Sequence, residues 1–157
     1  MCFSWGQCVS RISVRNYTVL TLKTDQTVWG WGSGGIYGGN GDWFSRSPLQ
    51  LNTGSFQNIF VGDDAVFVLD NVNNLWANGS NQYGSFGNGN TSSGYYNFEA
   101  LGNYPGLKSL TSGLYFGALI KGDGSLWTWG YNNSYQVGDD TTTPRLSPVH
   151  IGSDTNW

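Results

Sequence analysis

With 157 residues, 16% aromatic side chains and only 11% charged ones, the chain has the length of one ordinary domain and the rings to build a core, which excludes a disordered segment. Seven basic against ten acidic residues, a net charge of -3, exclude a basic nucleic-acid surface, and 24 Gly at irregular intervals exclude a collagen-like repeat. No stretch approaches the roughly 18 apolar residues of a membrane span, and the opening lacks the basic start and apolar run of a signal peptide, so the chain reads as soluble.

Residues 1–11 stand outside the pattern that follows and are expected to be a remnant of a preceding unit or a closing strand. Cys2 and Cys8 lie here. Two cysteines are too few for a disulfide scaffold, and the pair reads as reduced thiols near a terminus, with mutual pairing as the alternative. From Ile12 the chain repeats itself. ISVRNYTVLTLKTDQTVWGWG from Ile12, IFVGDDAVFVLDNVNNLWANG from Ile59 and LTSGLYFGALIKGDGSLWTWG from Leu110 superpose without gaps, their starts 47 and 51 residues apart. Each reaches a Trp, at Trp29, Trp76 and Trp127, after the same 17 steps. The units expected are 12–58, 59–109 and 110–157.

Inside each unit the elements follow one order. A short apolar strand through Leu20, Phe67 or Ala118 enters a polar turn, with Gly122 and Gly124 in the third copy offering backbone angles that other residues resist. The chain returns through the Trp as the second arm of a hairpin. A long Gly- and Asn-rich loop comes next, then a strand near Leu49–Leu51, Glu99–Leu101 or Val149–Ile151, and a fourth near Phe56–Val61 or Leu107–Ser112. Four short strands per unit, no helical stripe and a period near 50 predict an all-β fold of radially arranged four-stranded sheets, a partial or oligomer-completed β-propeller of about three blades.

The third unit carries Lys121, Asp123, Gly124, Leu126, Trp127, Trp129, Gly130, Asn132, Gly138, Asp139, Thr141, Pro144, Arg145, Pro148, Val149 and Ile151, and this pattern resembles the repeat of the regulator-of-chromosome-condensation superfamily. Asp25, Val28, Trp29, Trp31, Gly32, Pro48 and Leu49 carry the first copy; Leu75, Trp76, Gly79, Asn81, Tyr83 and Gly84 carry the weaker second. The copies depart from the pattern where Asn78 replaces a Trp and where Asp63-Asp64 and Arg15-Asn16 replace a Gly and polar pair. The resemblance implies a closed ring of about seven blades in the family. Its members include exchange factors for small GTPases, photoreceptors, protein inhibitors and interaction modules, so fold transfers more readily than activity. Three units cannot close a ring of four or more blades, so a second copy, another subunit or further chain is expected to cover the open faces.

No constellation for catalysis, cofactor or metal stands out. His150, the sole histidine, sits at a strand position occupied by Gln50 and Ala100 in the other units, and Glu99 is the sole glutamate. Asp139-Asp140 lacks calcium-loop spacing and reads as loop solvation or a local cap. The GxGxxG match at Gly30–Gly35 lacks a βαβ context, and the sequons at Asn16, Asn78, Asn90 and Asn132 follow from an Asn-rich composition. Trp29, Trp76, Trp127, Trp31 and Trp129 are expected as blade-core anchors. Tyr37, Trp43, Tyr83, Phe86, Tyr95, Tyr96, Tyr131 and Tyr135, on the polar loops, are the candidate interaction surface. The functional expectation is a non-enzymatic structural or protein-interaction subunit of a larger assembly, with a viral or bacteriophage virion component as its specific form and a virion or extracellular surface as its place. The alternatives are a carbohydrate-binding module and a regulator of a nucleotide-binding protein.

Overall fold

The computed structural model describes residues 8–33, 44–52 and 54–157. These form twelve strands in three four-stranded antiparallel sheets, each a simple meander. The first sheet comprises β1 (Val9–Arg15), β2 (Thr18–Lys23), β3 (Val28–Ser33) and β4 (Phe44–Asn52). The second comprises β5 (Phe56–Val61), β6 (Ala65–Asp70), β7 (Asn74–Gly79) and β8 (Gly94–Asn103), and the third β9 (Ser109–Ser112), β10 (Phe116–Ile120), β11 (Leu126–Gly130) and β12 (Arg145–Ile151). Three four-stranded blades and no helix among the described residues are what the repeat predicts. The strand at Phe56–Val61, however, opens the second sheet instead of closing the first, and Val9–Arg11 belong to β1 and not to a separate N-terminal piece. Cys8 is disulfide-bonded, which corrects the expectation of a reduced thiol.

The sheets stack because the middle one is apolar on both faces. All five residues Ala65–Leu69 of β6 are buried. Side chains alternate across a strand, so Val66 and Val68 join Leu20, Leu22, Val28, Phe56 and Ile59 in one core between the first two sheets. Ala65, Phe67 and Leu69 join Leu75, Ala77, Leu110, Leu119 and Trp129 in a second core between the last two. A strand buried on both faces reads as a continuous apolar run, as AVFVL does. Strands β1, β5 and β9 lie side by side, β5 touching β1, β2 and β9, so the blades fan from a common inner edge.

The hairpin turns explain the repeated polar sequences. Asp25 accepts hydrogen bonds from the Thr27 amide (3.1 Å) and hydroxyl (2.7 Å), and Asp123 does the same for Ser125 (2.9 and 2.6 Å). The positive backbone angle falls on Gln26 (φ 67°), Asn73 (φ 68°) and Gly124 (φ 87°), the same turn position in each copy, and not on Gly122.

Candidate functional site

The β1–β2, β5–β6, β7–β8, β9–β10 and β11–β12 connections gather at one end of the molecule, as cross-links between them show: Arg15 and Asn16 bond Asp63, and Ser85 bonds Asp64. The two long loops of this end are built around buried asparagines. Asn132 accepts from the Val137 amide (2.9 Å) and donates to the Thr141 carbonyl (2.8 Å), the Thr143 carbonyl (3.1 Å) and Asp139 Oδ1 (3.1 Å). One repeat earlier Asn81 accepts from the Phe86 amide (2.9 Å) and donates to the Asn90 and Ser92 carbonyls (3.0 and 3.1 Å) and to Asn88 Oδ1 (3.1 Å). Backbone groups that a loop would otherwise leave unpaired are satisfied by one side chain. These loops are therefore fixed frames, and the buried sequon asparagines Asn78 and Asn132 are structural.

On this frame stand the tyrosines. Tyr83 follows Asn81 by two residues, Tyr131 immediately precedes Asn132, and Tyr115 comes from the β9–β10 loop. Their ring centroids are 4.6 Å (Tyr83–Tyr115), 5.3 Å (Tyr83–Tyr131) and 6.5 Å (Tyr115–Tyr131) apart, within the range of favourable tilted contacts. Tyr131 is further held by Asn133, whose Nδ2 donates to its hydroxyl at 2.8 Å. Tyr83 is 38% exposed, and Leu114 and Tyr135 are exposed on the same group of loops.

Two carboxylates adjoin the cluster and differ in their partners. Asp63 pairs with Arg15 from the first blade (2.7 and 2.9 Å) and accepts from Asn16 (2.8 Å), and the Arg15 hydrogen bond holds its pKa below the ordinary value against burial. Asp64 has no cation among the described residues. Burial pushes its pKa up to about 6, against hydrogen bonds from Ser85 Oγ (2.8 Å) and the Tyr115 amide. Its Oδ1 is buried and unpartnered, as are Asn78 Oδ1 and Ser112 Oγ at the same end. Asp139 behaves oppositely: burial raises its pKa, but Thr141, Arg145 (2.6 Å) and Asn132 outweigh burial and hold it at about 2. It is the local cap read from the sequence.

The structure thus brings together Tyr83 and Tyr131 and leaves Tyr135 exposed on the β11–β12 loop. Phe86 is corrected: it is 2% exposed, because the Asn81 bond draws its amide inward and its ring packs edge-on against Phe67 at 6.5 Å. Tyr37 and Trp43 lie outside the described residues, and of Tyr95 and Tyr96 only the backbone, in β8, is described. Tyr115 was missed, although it occupies the same repeat position as Tyr17 and Asp64.

Of the tryptophans, Trp129 is fully buried and donates to the Ser85 carbonyl (2.7 Å), tying the third blade to the second blade's loop. Trp31 is half-buried on β3. Trp29, Trp76 and Trp127 are half-buried at the opposite end, where their indole N–H groups bond Thr27 (2.9 Å), Asp70 (3.1 Å) and Ser125 (2.8 Å). Lys23 and Lys121 cover the rings of Trp29 and Trp127, and His150 stacks on Trp127 at 5.1 Å. Grooves at this end, beside Tyr104 and Lys121 and beside Phe56 and Val72, recur at successive blade junctions and are features of the repeat. Among the described residues no three His, Cys, Asp or Glu could hold a metal, and no helix is long and apolar enough to cross a membrane.

A three-sheet fan with one loop-bearing end has the form of a propeller segment. Residues 123–156 match the Regulator of chromosome condensation (RCC1) repeat. The fold is similar to yeast RCC1 (Prp20) in its complex with Kap60, at a TM-score of 0.77 and 18% identity, over 92% of this chain and 37% of that one. It is also similar to human WBSCR16, at a TM-score of 0.74 and 20% identity, over 93% and 40%. The X-linked retinitis pigmentosa GTPase regulator homolog of Caenorhabditis elegans is 30% identical over 90 residues, 57% of this chain and 6% of that protein. The repeat match covers residues 123–156, the likeness over the rest of the described chain is one of β-propeller fold, and the chain spans well under half the length of these relatives.

Proposed function

We propose that this chain is part of a non-enzymatic propeller that docks other proteins through its loop end, and that the class of partner is a nucleotide-binding protein of the small-GTPase kind. The observation that carries the reading is the placement of the departures from the repeat. Asp63, Asp64 and Asn78 all fall at the end of the molecule that carries the three-tyrosine cluster, whereas at the opposite end the Trp of the hairpin recurs at one position in all three copies. Fixed loops presenting rings and carboxylates suit protein recognition, because little ordering entropy remains to be lost on binding. The names of the relatives support the partner class: one is a GTPase regulator homolog, and a second structure of Prp20p, 18% identical, is described with its binding properties to Gsp1p and histones. The relatives favour neither the virion nor the glycan reading. Further blades, from additional chain or from another subunit, complete the ring in this proposal.

The test is retention of purified small GTPases, nucleotide-free and GDP-bound, on the immobilised chain. Retention of at least one, weakened by Asp63→Lys and Tyr83→Ala, is expected. Retention of none, or retention indifferent to both substitutions, removes the reading.

A further inference from the structure

We propose that the Tyr83, Tyr115 and Tyr131 rings, with the Asp64 carboxylate behind them, form a receptor for a basic side chain, an arginine or lysine presented by a protein partner. The inference deepens the docking reading above by naming the chemistry that the loop end takes.

Three observations converge on a cation. The first is charge. Of the adjacent carboxylates, Asp63 is neutralised by Arg15 and further satisfied by Asn16, whereas Asp64 receives neutral donors alone, and its Oδ1 receives none. An ionised group withdrawn from water without a counter-charge is costly, and a cation arriving from outside removes that cost. The Asp64 pKa of about 6 leaves the carboxyl mostly ionised at neutral pH, and an arriving cation favours the ionised form further. The second is the ring cluster. Three tyrosines meet at 4.6 to 6.5 Å with inter-ring angles of 55 to 74°, so they present faces as well as edges. Aromatic faces attract ammonium and guanidinium groups. Tyr115 links the two features, since its amide bonds the Asp64 carboxyl while its ring lies against Tyr83. The third is the neighbouring Ser112. This residue is 3% exposed, its hydroxyl is unpartnered, and it lies against Gly62 at the start of the loop that carries Asp63 and Asp64. This end of the second blade therefore holds more hydrogen-bond capacity than the chain itself uses.

The molecule already contains this pairing of ring and cation in intramolecular form. Lys23 sits 3.7 Å from the centre of the Trp29 ring and Lys121 3.4 Å from that of Trp127, each near an aspartate of the same turn. At the loop end the rings and the Asp64 carboxylate are present, and the cations there, Arg15 and Arg145, are paired with Asp63 and Asp139, so that no cation among the described residues is paired with Asp64. Tyr83, the most exposed ring of the three, is on the solvent side where an incoming side chain makes first contact.

The experiment uses the whole chain and three blocked Gly-Ser peptides carrying one central Arg, Lys or citrulline, titrated while the tyrosine ring resonances are followed by NMR. The Arg and Lys peptides are expected to shift Tyr83, Tyr115 and Tyr131 saturably, and the citrulline peptide, which keeps the shape and loses the charge, to bind about tenfold more weakly or not at all. Asp64→Asn and Tyr83→Ala should each weaken the Arg peptide by about tenfold, while Tyr83→Phe, which keeps the ring, should not. Unchanged thermal melting of Tyr83→Ala and Tyr83→Phe keeps that comparison independent of folding. Equal binding of Arg and citrulline peptides, no shift of these rings, or a saturable shift by maltohexaose in place of the peptides overturns the proposal, the last in favour of a glycan. GTPase retention with no peptide binding removes this inference and leaves the docking reading standing; peptide binding without GTPase retention does the reverse.

Discussion

Asp64 and Asp139 are both drawn out of water, and the number and charge of the donors that reach each decide which way it titrates. Asp139 collects Thr141, Arg145 and Asn132, a cation among them, and stays acidic near 2; Asp64 has Ser85 and the amides of Tyr115 and its own backbone, all neutral, and burial wins, to about 6. The consequence for stability follows from proton linkage. Unfolded, Asp64 titrates near its ordinary value of about 4. Below that pH both states hold the proton and folding bears no cost from this group. Between about 4 and 6 the folded chain holds the proton more tightly than the unfolded one, so stability falls as pH rises, and above 6 the full cost remains, about 3 kcal/mol for two pK units. Asp64→Asn removes the ionisation. Urea unfolding of both proteins should show the variant gaining on the parent as pH rises from 4 to 7, with the gain levelling off above 6. A stability difference constant over that range would show that Asp64 is not ionising in a buried setting. Asp139 does not interfere: its contribution is present above the unfolded value and lost only as pH falls through about 2.

At the scale of the strand and turn, one glycine recurs for a reason of space. Gly32 is the last residue but one of β3, and Gly79 and Gly130 end β7 and β11, with φ of 104°, 122° and 101°. A Cβ there would lie 1.9, 2.5 and 2.3 Å from the carbonyl oxygens of Tyr17, Asp64 and Tyr115, which occupy one repeat position. Both the backbone angle and the neighbouring strand forbid a side chain. Gly138 separates the two effects, since its φ is 78° but nothing lies within 4 Å of its missing Cβ. Gly130→Ala should therefore cost about 3 kcal/mol or more, and Gly138→Ala only the about 1 kcal/mol of an unfavourable angle. Thermal denaturation of the two variants checks the order, and equal losses would show that backbone angle alone sets the cost. This scale was the most legible in the sequence, where the Trp spacing and the following Gly give hairpin, turn and blade count directly. The loops were less so. Phe86 sits between Ser85 and Gly87 and looks like a surface ring, yet it shares a repeat position with Val137, also buried, 51 residues on. Carrying the gapless alignment from Asn81–Phe86 to Asn132–Val137 exposes that pairing. The tyrosine cluster has no such local signature, because Tyr83 belongs to one blade and Tyr115 and Tyr131 to the next, and they meet only when the sheets stack.

For the whole molecule, the decisive contrast lies between equivalent residues of the first and second blades. Ile59 is 5% exposed and Val61 packs against the core between the blades; their counterparts on β1, Ile12 and Val14, are 64% and 61% exposed. Cross-strand pairing puts Ile12 beside Thr21 and Val14 beside Val19, so the exposed side chains form one face with β2. That face is built like the ones that receive a neighbouring blade, and leaving it in water forgoes roughly 1.5–3 kcal/mol for each large apolar side chain that a cover would bury. At the other end Phe116, Ala118 and Ile120 of β10 occupy the positions that Ala65, Phe67 and Leu69 fill in the core between the second and third blades. The two free faces therefore complement each other, which allows copies of the chain to pack head to tail when nothing else covers them. Light scattering of the isolated chain over a range of concentrations should show association, and the double substitution Ile12→Asp with Val14→Asp should return it to a monomer with little change in melting temperature, since neither side chain supports the internal cores. A monomer at every concentration for the unsubstituted chain would mean that these faces tolerate water, and the case for a covering blade would lose its physical basis.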